Sequence, residues 1–204
     1  MPARSLFPTL IHEAAPGDEA LRAGLEAVCW LLEEEDEAGN AWCDTEGYDG
    51  YTSYASLDDL PERFPEFREL KKLLDREAAA FAAALHWDLA GFCLRLDAIW
   101  VNILPEGGSH SSHVHPGSVI SGTYYVRVPE GAGSLKIEDP RLGFMMAAPQ
   151  PLDDAPEAAR RFVYLEPQEG RAFFWESWLR HEVMPNRSEE PRISISFNYA
   201  LVGA

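Results

Sequence analysis

The spacing of apolar residues divides the chain into a helical first half and a strand-rich second half. From about Gly17 to Ala38, the positions Leu21, Leu25, Val28 and Leu32 recur every three or four residues behind Asp18, a favourable cap, and predict an amphipathic helix. A second helix is predicted from about Pro65 to Trp87, where Leu70, Leu73, Leu74, Ala78, Phe81 and Leu85 form one face and Lys71, Lys72, Arg76 and Glu77 are left for solvent. From Gly91 the period falls to two. The predicted strands are Phe92 to Leu104, Ser112 to His115, Val119 to Val128, Ser134 to Glu138, Phe162 to Leu165, Arg171 to Trp175, Leu179 to Met184 and Arg192 to Leu201. About eight strands is the number of a jelly roll, so the expected class is mainly β with flanking α.

No Gly/Ser-rich or Pro-rich linker separates independently patterned halves. The expectation is one domain over 1–204, with 1–90 a mostly helical support and 91–204 the strand core. One stretch breaks the regular strand spacing: Asp139 to Arg161 is long, rich in Pro, Ala and Asp, and is expected to be a mobile flap at the barrel mouth.

Composition narrows the partners. With 17 basic and 34 acidic residues the net charge is −17, a field that repels phosphate backbones and anionic membranes, so neither nucleic acid nor membrane is an expected partner. The simplest reading of this acidity is solubility, and of the Glu33 to Glu37 run a solvated helix end. Cys29, Cys43 and Cys93 are odd in number and lack C-x-x-C spacing; they are expected to be reduced and buried or half-buried. The start, Met1-Pro2-Ala3-Arg4, has no long apolar run after it, and no stretch approaches the length of a bilayer span, which gives a cytoplasmic expectation.

The candidate chemistry begins at His110-Ser111-Ser112-His113-Val114-His115-Pro116. Alternate residues of a strand share a side, so His113 and His115 can present their imidazoles together. A third ligand must come from elsewhere, and His181 lies in a separate β-patterned segment, as a facial three-ligand site inside a barrel requires. His110 is an alternative to His115, but its odd spacing from His113 places it on the opposite face of a regular strand. His12 and His86 are read as surface or hydrogen-bonded residues.

The last strand carries a second constellation. Alternation puts Arg192, Ser194, Ser196 and Asn198 on one face and Ile193, Ile195, Phe197 and Tyr199 on the other. A guanidinium projecting into a barrel is costly unless it meets an anion, and its planar fork suits a carboxylate. Ser121, Thr123 and Tyr125 share a side of another strand and can add hydroxyl donors. The competing reading is an internal ion pair of Arg192 with Asp97 or Glu138.

In order and spacing, the run His113-x-His115, Ser121-Gly122-Thr123-Tyr124-Tyr125-Val126, Glu138-Asp139-Pro140-Arg141, Phe173-Phe174-Trp175, His181-Glu182-Val183-x-Pro185 and Arg192-Ile193-Ser194 resembles the 2-oxoglutarate/iron(II) oxygenases. Within them it is most similar to a bacterial branch with H-x-H-P and S-G-x-Y-Y motifs. The resemblance covers Asp97 to Leu201. It implies a double-stranded β-helix, iron(II) and 2-oxoglutarate as cofactors, and oxidation, by default hydroxylation, of a small-molecule or peptide substrate with release of succinate and CO2. His113 matches the first histidine of the family's H-x-D/E pair and His181 its distal histidine. Arg192, eleven positions later, matches the arginine that holds the far carboxylate of 2-oxoglutarate, with Ser194 completing R-x-S and Tyr125 sharing that carboxylate.

The departure is His115, where most of the superfamily has Asp or Glu. Either His115 is a neutral third ligand, or the metal has two protein ligands and takes water or an anion there. Asn102 and Trp100, with Trp175 or Trp178, are candidates for the substrate side, against plain core packing. Two rival functions remain at this level. One is a cupin-type three-histidine dioxygenase without oxoacid, although Val119 and Ile120 stand where its glutamate is expected and Arg192 has no task in it. The other is a non-catalytic jelly-roll module binding an anion. A homodimer is compatible with any of the three.

Overall fold

The computed structural model describes residues 3–15 and 17–203, and Met1 and Pro2 of the start read above lie outside them. The elements in chain order are strand β1 (His12–Ala14), helices α1 (Glu19–Glu35) and α2 (Glu37–Glu46), strand β2 (Tyr51–Thr52), helices α3 (Leu60–Arg63) and α4 (Pro65–Ala84), and strands β3 (Phe92–Leu104), β4 (His110–His113), β5 (Ile120–Arg127), β6 (Leu135–Glu138), β7 (Phe162–Leu165), β8 (Ala172–Glu176), β9 (His181–Val183) and β10 (Arg192–Gly203). The eight expected strands are present as β3 to β10, and the described residues add β1 and β2, which are too short to show an alternation.

Asp18 caps α1 as its sequence position predicts, its carboxylate accepting from the Ala20 N–H. The single helix expected to run to Ala38 is instead two. Asp36 leaves the helical region (φ −82°, ψ 77°), and its carboxylate accepts from the Gly39 N–H to restart the helix. Tyr51 Oη and Ser56 Oγ donate to the same carboxylate, so this member of the acidic run is a structural joint and not a solvated side chain. Helix α4 buries Leu70, Leu74, Ala78 and Phe81 of the face predicted from spacing, with Leu73 and Leu85 half-buried and Phe67 added to it, and at roughly 1.5–3 kcal/mol for each large apolar side chain this layer is a main support of the sheet beneath it. Glu77, expected in solvent, is held on that side by His12, whose Nε2 lies 2.9 Å from its carboxylate.

All strand pairs are antiparallel. A six-stranded sheet has the order β1-β8-β5-β10-β3-β2, and a four-stranded sheet has the order β4-β9-β6-β7. The helices cover one face of the larger sheet, where Ile193, Ile195, Phe197 and Tyr199 of β10 join the helical core. Its other face meets the smaller sheet across Leu104, Tyr125, Phe173 and Trp175 on one side and Leu135, Ile137 and Val183 on the other, making the double-stranded β-helix.

Between β6 and β7 the 139–161 segment is a surface excursion with two 3-10 turns, Leu142–Phe144 and Glu157–Ala159. Arg161 ties it to itself by donating to the carbonyls of Ala148 and Pro149. It leaves the sheet next to His181, whose partner on β6 is Ile137, and none of its residues is among those that line the central cavity. Cys29 and Cys43 are free and buried, whereas Cys93 is exposed, contrary to expectation. No helix among the described residues is long and apolar enough to cross a membrane.

Candidate metal centre

His113, His115 and His181 converge at one end of the space between the sheets, and one ligating atom from each lies within 4.8 Å of the others. The ring centroids of His113 and His181 are 4.3 Å apart, those of His115 and His181 5.1 Å, and those of His113 and His115 5.0 Å. The route to this convergence differs from simple alternation. Strand β4 stops at His113, which pairs with His181 on β9, and His115 stands beyond it. Pro116 has no N–H to continue a ladder, and Gly117 follows at φ 94° to turn the chain. His115 is fixed instead by its backbone N–H, which donates to the Ser177 carbonyl, and by Asn198 of β10, whose Nδ2 lies 3.4 Å from its Nδ1.

The hydrogen bonds set which ring nitrogens face inward. Nδ1 of His113 donates to the Ser111 carbonyl at 2.6 Å and Nδ1 of His181 to the Leu179 carbonyl at 2.9 Å, leaving both Nε2 atoms as lone-pair donors. Nε2 of His115 is 3.2 Å from Nε2 of His181, close to the roughly 3 Å that separates two imidazole nitrogens bound at right angles to one ion at about 2.1 Å. Burial is the main cause that lowers His115 to about 4 and His181 to about 3, with the neighbouring imidazoles adding to it. These rings are neutral at pH 7, the state a metal requires.

The cavity, about 360 Å³, runs from these rings to Arg192 at its far end. The polar face of β10 lines it as alternation predicts, with Arg192, Ser194, Ser196 and Asn198 all on its wall. Arg192 is 1% exposed, yet its Nε and Nη1 have no hydrogen-bond partner, and the buried hydroxyl of Tyr125 has none either. The guanidinium sits over the Tyr125 ring, 5.1 Å from its centroid. The alternative ion pairs are absent among the described residues: Glu138 faces Arg180 and Asp97 faces Arg95. A buried guanidinium without an anion is costly, so the set fits a carboxylate arriving from outside the chain, and the neutral nitrogen-donor triad fits a divalent transition metal.

Several lining residues come from segments read above only as support. Tyr48, just after α2, places its hydroxyl 2.6 Å from Nε2 of His110; Trp42 packs against the Tyr48 ring, and Tyr54, against Trp100, also lines the cavity. His110 is therefore inside the cavity and not on the opposite face. The pairing of β4 with β9 shifts register between His110 and His113, which cancels the alternation. Burial first, then the Arg192 charge, lowers His110 to about 4. Asn102 lines the wall, its Oδ1 accepting from Thr52 Oγ1 and its Nδ2 donating to Ser196 Oγ. Trp100 and Trp175 also line it, Trp175 with its centroid 4.6 Å from that of His181, while Trp178 lies outside the cavity.

Residues 98–198 match the family described as "Putative 2OG-Fe(II) oxygenase". No curated protein matches the chain in sequence. Among solved structures, the epimerase SnoN, in complex with Fe3+, alpha ketoglutarate and nogalamycin RO, superposes with a TM-score of 0.65 at 16% identity over 94% of this chain and 79% of that one. A Pseudomonas putida prolyl-4-hydroxylase gives 0.60 at 17% identity over 94% and 93% of the two chains. HygX from Streptomyces hygroscopicus, with nickel and 2-oxoglutarate bound, gives 0.59 at 12% over 94% and 82%. At these identities the likeness is one of fold.

Proposed function

Because the chain belongs to the 2OG-Fe(II) oxygenase family through residues 98–198, we propose that His113, His115 and His181 hold iron(II) and that Arg192, Ser194 and Tyr125 hold the far carboxylate of 2-oxoglutarate. The observation that carries this reading is the unpartnered, buried guanidinium at the end of a histidine-lined cavity. Bound there, iron and oxoacid supply the family's oxygen chemistry: 2-oxoglutarate and dioxygen become succinate and CO2 while one oxygen atom enters a C–H bond of the substrate.

The chain's own residues orient and exclude. Arg192 and the Tyr125 hydroxyl supply donors whose desolvation has already been met in folding, so a dicarboxylate gains charge-assisted bonds there without reorganising the wall. The Ser111 and Leu179 carbonyls keep His113 and His181 in the tautomer that offers Nε2. Trp100 and Trp175 pack around the imidazoles and keep bulk water from them. Three neutral ligands would leave the full metal charge in the pocket, where it and the Arg192 guanidinium would together attract a dianionic oxoacid. We propose one folding domain for the whole chain, since the site takes its walls from both the helical and the strand regions. The test is succinate release from 2-oxoglutarate by iron-loaded protein; iron-dependent oxygen uptake that needs no oxoacid would instead support a cupin-type dioxygenase.

A further inference from the structure

Five of the six tryptophans gather around the proposed centre: Trp42, Trp100 and Trp175 line the central cavity, and Trp87 and Trp178 line a second depression of about 440 Å³. The two spaces share Val114, His115, Pro116 and Ser118, so one turn of chain separates them. Alternation along β8 builds the second space: Trp175 turns inward to His181, and the next residue, Glu176, lines the outer depression. A turn closed by the Leu179 N–H donating to the Glu176 carbonyl then leaves Trp178 51% exposed, with Leu201 beside it at 39%. Glu176 is the one carboxylate in the lining, and no lysine or arginine faces it there.

Two indoles, one of them half in solvent, with a carboxylate that meets no cation in its pocket, are complementary to one class of ligand. An indole face attracts a cation, the carboxylate adds the charge, and the field of a chain at −17 draws cations in; an anion is repelled, and a neutral apolar ligand has no use for Glu176. We propose that this depression receives an alkylammonium group, primary or methylated, of a small-molecule substrate, leaving its carbon chain to cross the 114–118 turn toward the cavity. The proposal rests on the oxygenase reading for its purpose, but not for its test.

The test is a tryptophan-fluorescence titration of the full chain, metal-free and again iron-loaded, with choline and with its neutral isostere 3,3-dimethylbutan-1-ol. Saturable quenching by choline is expected, at least tenfold tighter than by the alcohol, with a tenfold loss in Glu176→Gln and a larger loss in Trp178→Ala. Trp178→Phe, which keeps an aromatic face, retains binding at the wild-type melting temperature. Equal binding of the alcohol, an unchanged Glu176→Gln, or no saturable signal overturns the cation site. Since no oxoacid enters the titration, choline binding without succinate release counts against the oxygenase reading alone, and succinate release without choline binding counts against this site alone.

Discussion

Nε2 of His115 and Nε2 of His181 lie 3.2 Å apart, although 66 positions separate the residues. Since Nδ1 of His181 is committed to the Leu179 carbonyl, its Nε2 is the acceptor and His115 the donor of the proton between them. A metal ion would take that proton's place. His181→Ala removes the acceptor and is expected to abolish stoichiometric iron binding, measured by metal analysis of protein purified without chelators. His115→Asp restores the carboxylate usual in the family and is expected to keep iron; loss of metal there would show a pocket fitted to a neutral ligand.

Arg192 combines complete burial with unsatisfied donors, so it should cost the ligand-free chain stability and repay that on binding. Arg192→Met is expected to raise the melting temperature of the ligand-free protein and to weaken 2-oxoglutarate binding by about two orders of magnitude, about 3 kcal/mol. Thermal shift with and without oxoacid reads both effects, because only a chain that binds the oxoacid is stabilised by it. A variant as unstable as one with a core cavity would speak against an unpaired charge.

Stability of the metal-free chain should rise with pH across the acid range. His110, His115 and His181 have folded-state values of about 4, 4 and 3, below the ordinary 6.5, chiefly because burial disfavours the charged ring. Between about 4 and 6.5 the unfolded chain therefore binds more protons than the folded one. The contribution is fully present above 6.5 and is lost as pH falls toward 4. His110→Asn is expected to flatten that slope in chemical denaturation across this window, and an unchanged slope would refute the assignment.

Gly122, the third residue of β5, has no room for a side chain. An added Cβ would stand 2.2 Å from Phe197 Cζ and 2.5 Å from the Phe173 carbonyl oxygen. Gly122→Ala is expected to destabilise by about 2–3 kcal/mol, read from the urea midpoint, because the backbone oxygen of the neighbouring strand cannot move aside as a side chain can.

These cases show what a linear pattern carries. Alternation in Arg192–Leu201 assigned both faces of β10 correctly, since that strand is long, paired on both sides and polar on one face only. The same logic failed for His110, because a register shift between it and His113 leaves no mark in the order of residue types. Tyr48 and Trp42 reach the cavity through tertiary contact alone, from a segment whose only strand, Tyr51–Thr52, is two residues long. The Ser-Gly-x-Tyr-Tyr run marked Gly122 without giving its reason, which is the approach of Phe197 from the next strand.

The division of β10 into two faces bears on how such a barrel can diversify. Its odd-numbered positions, Ile193 to Tyr199, secure the interior under the helices, while the even-numbered ones, Arg192 to Asn198, furnish the chamber. A lineage can therefore alter the chamber wall at Ser196 without touching the apolar face under the helices, whereas Asn198 is tied to His115 and Ser121. An inserted or deleted residue would exchange the two sets at once, so drift by substitution is open to this strand and drift by length is closed.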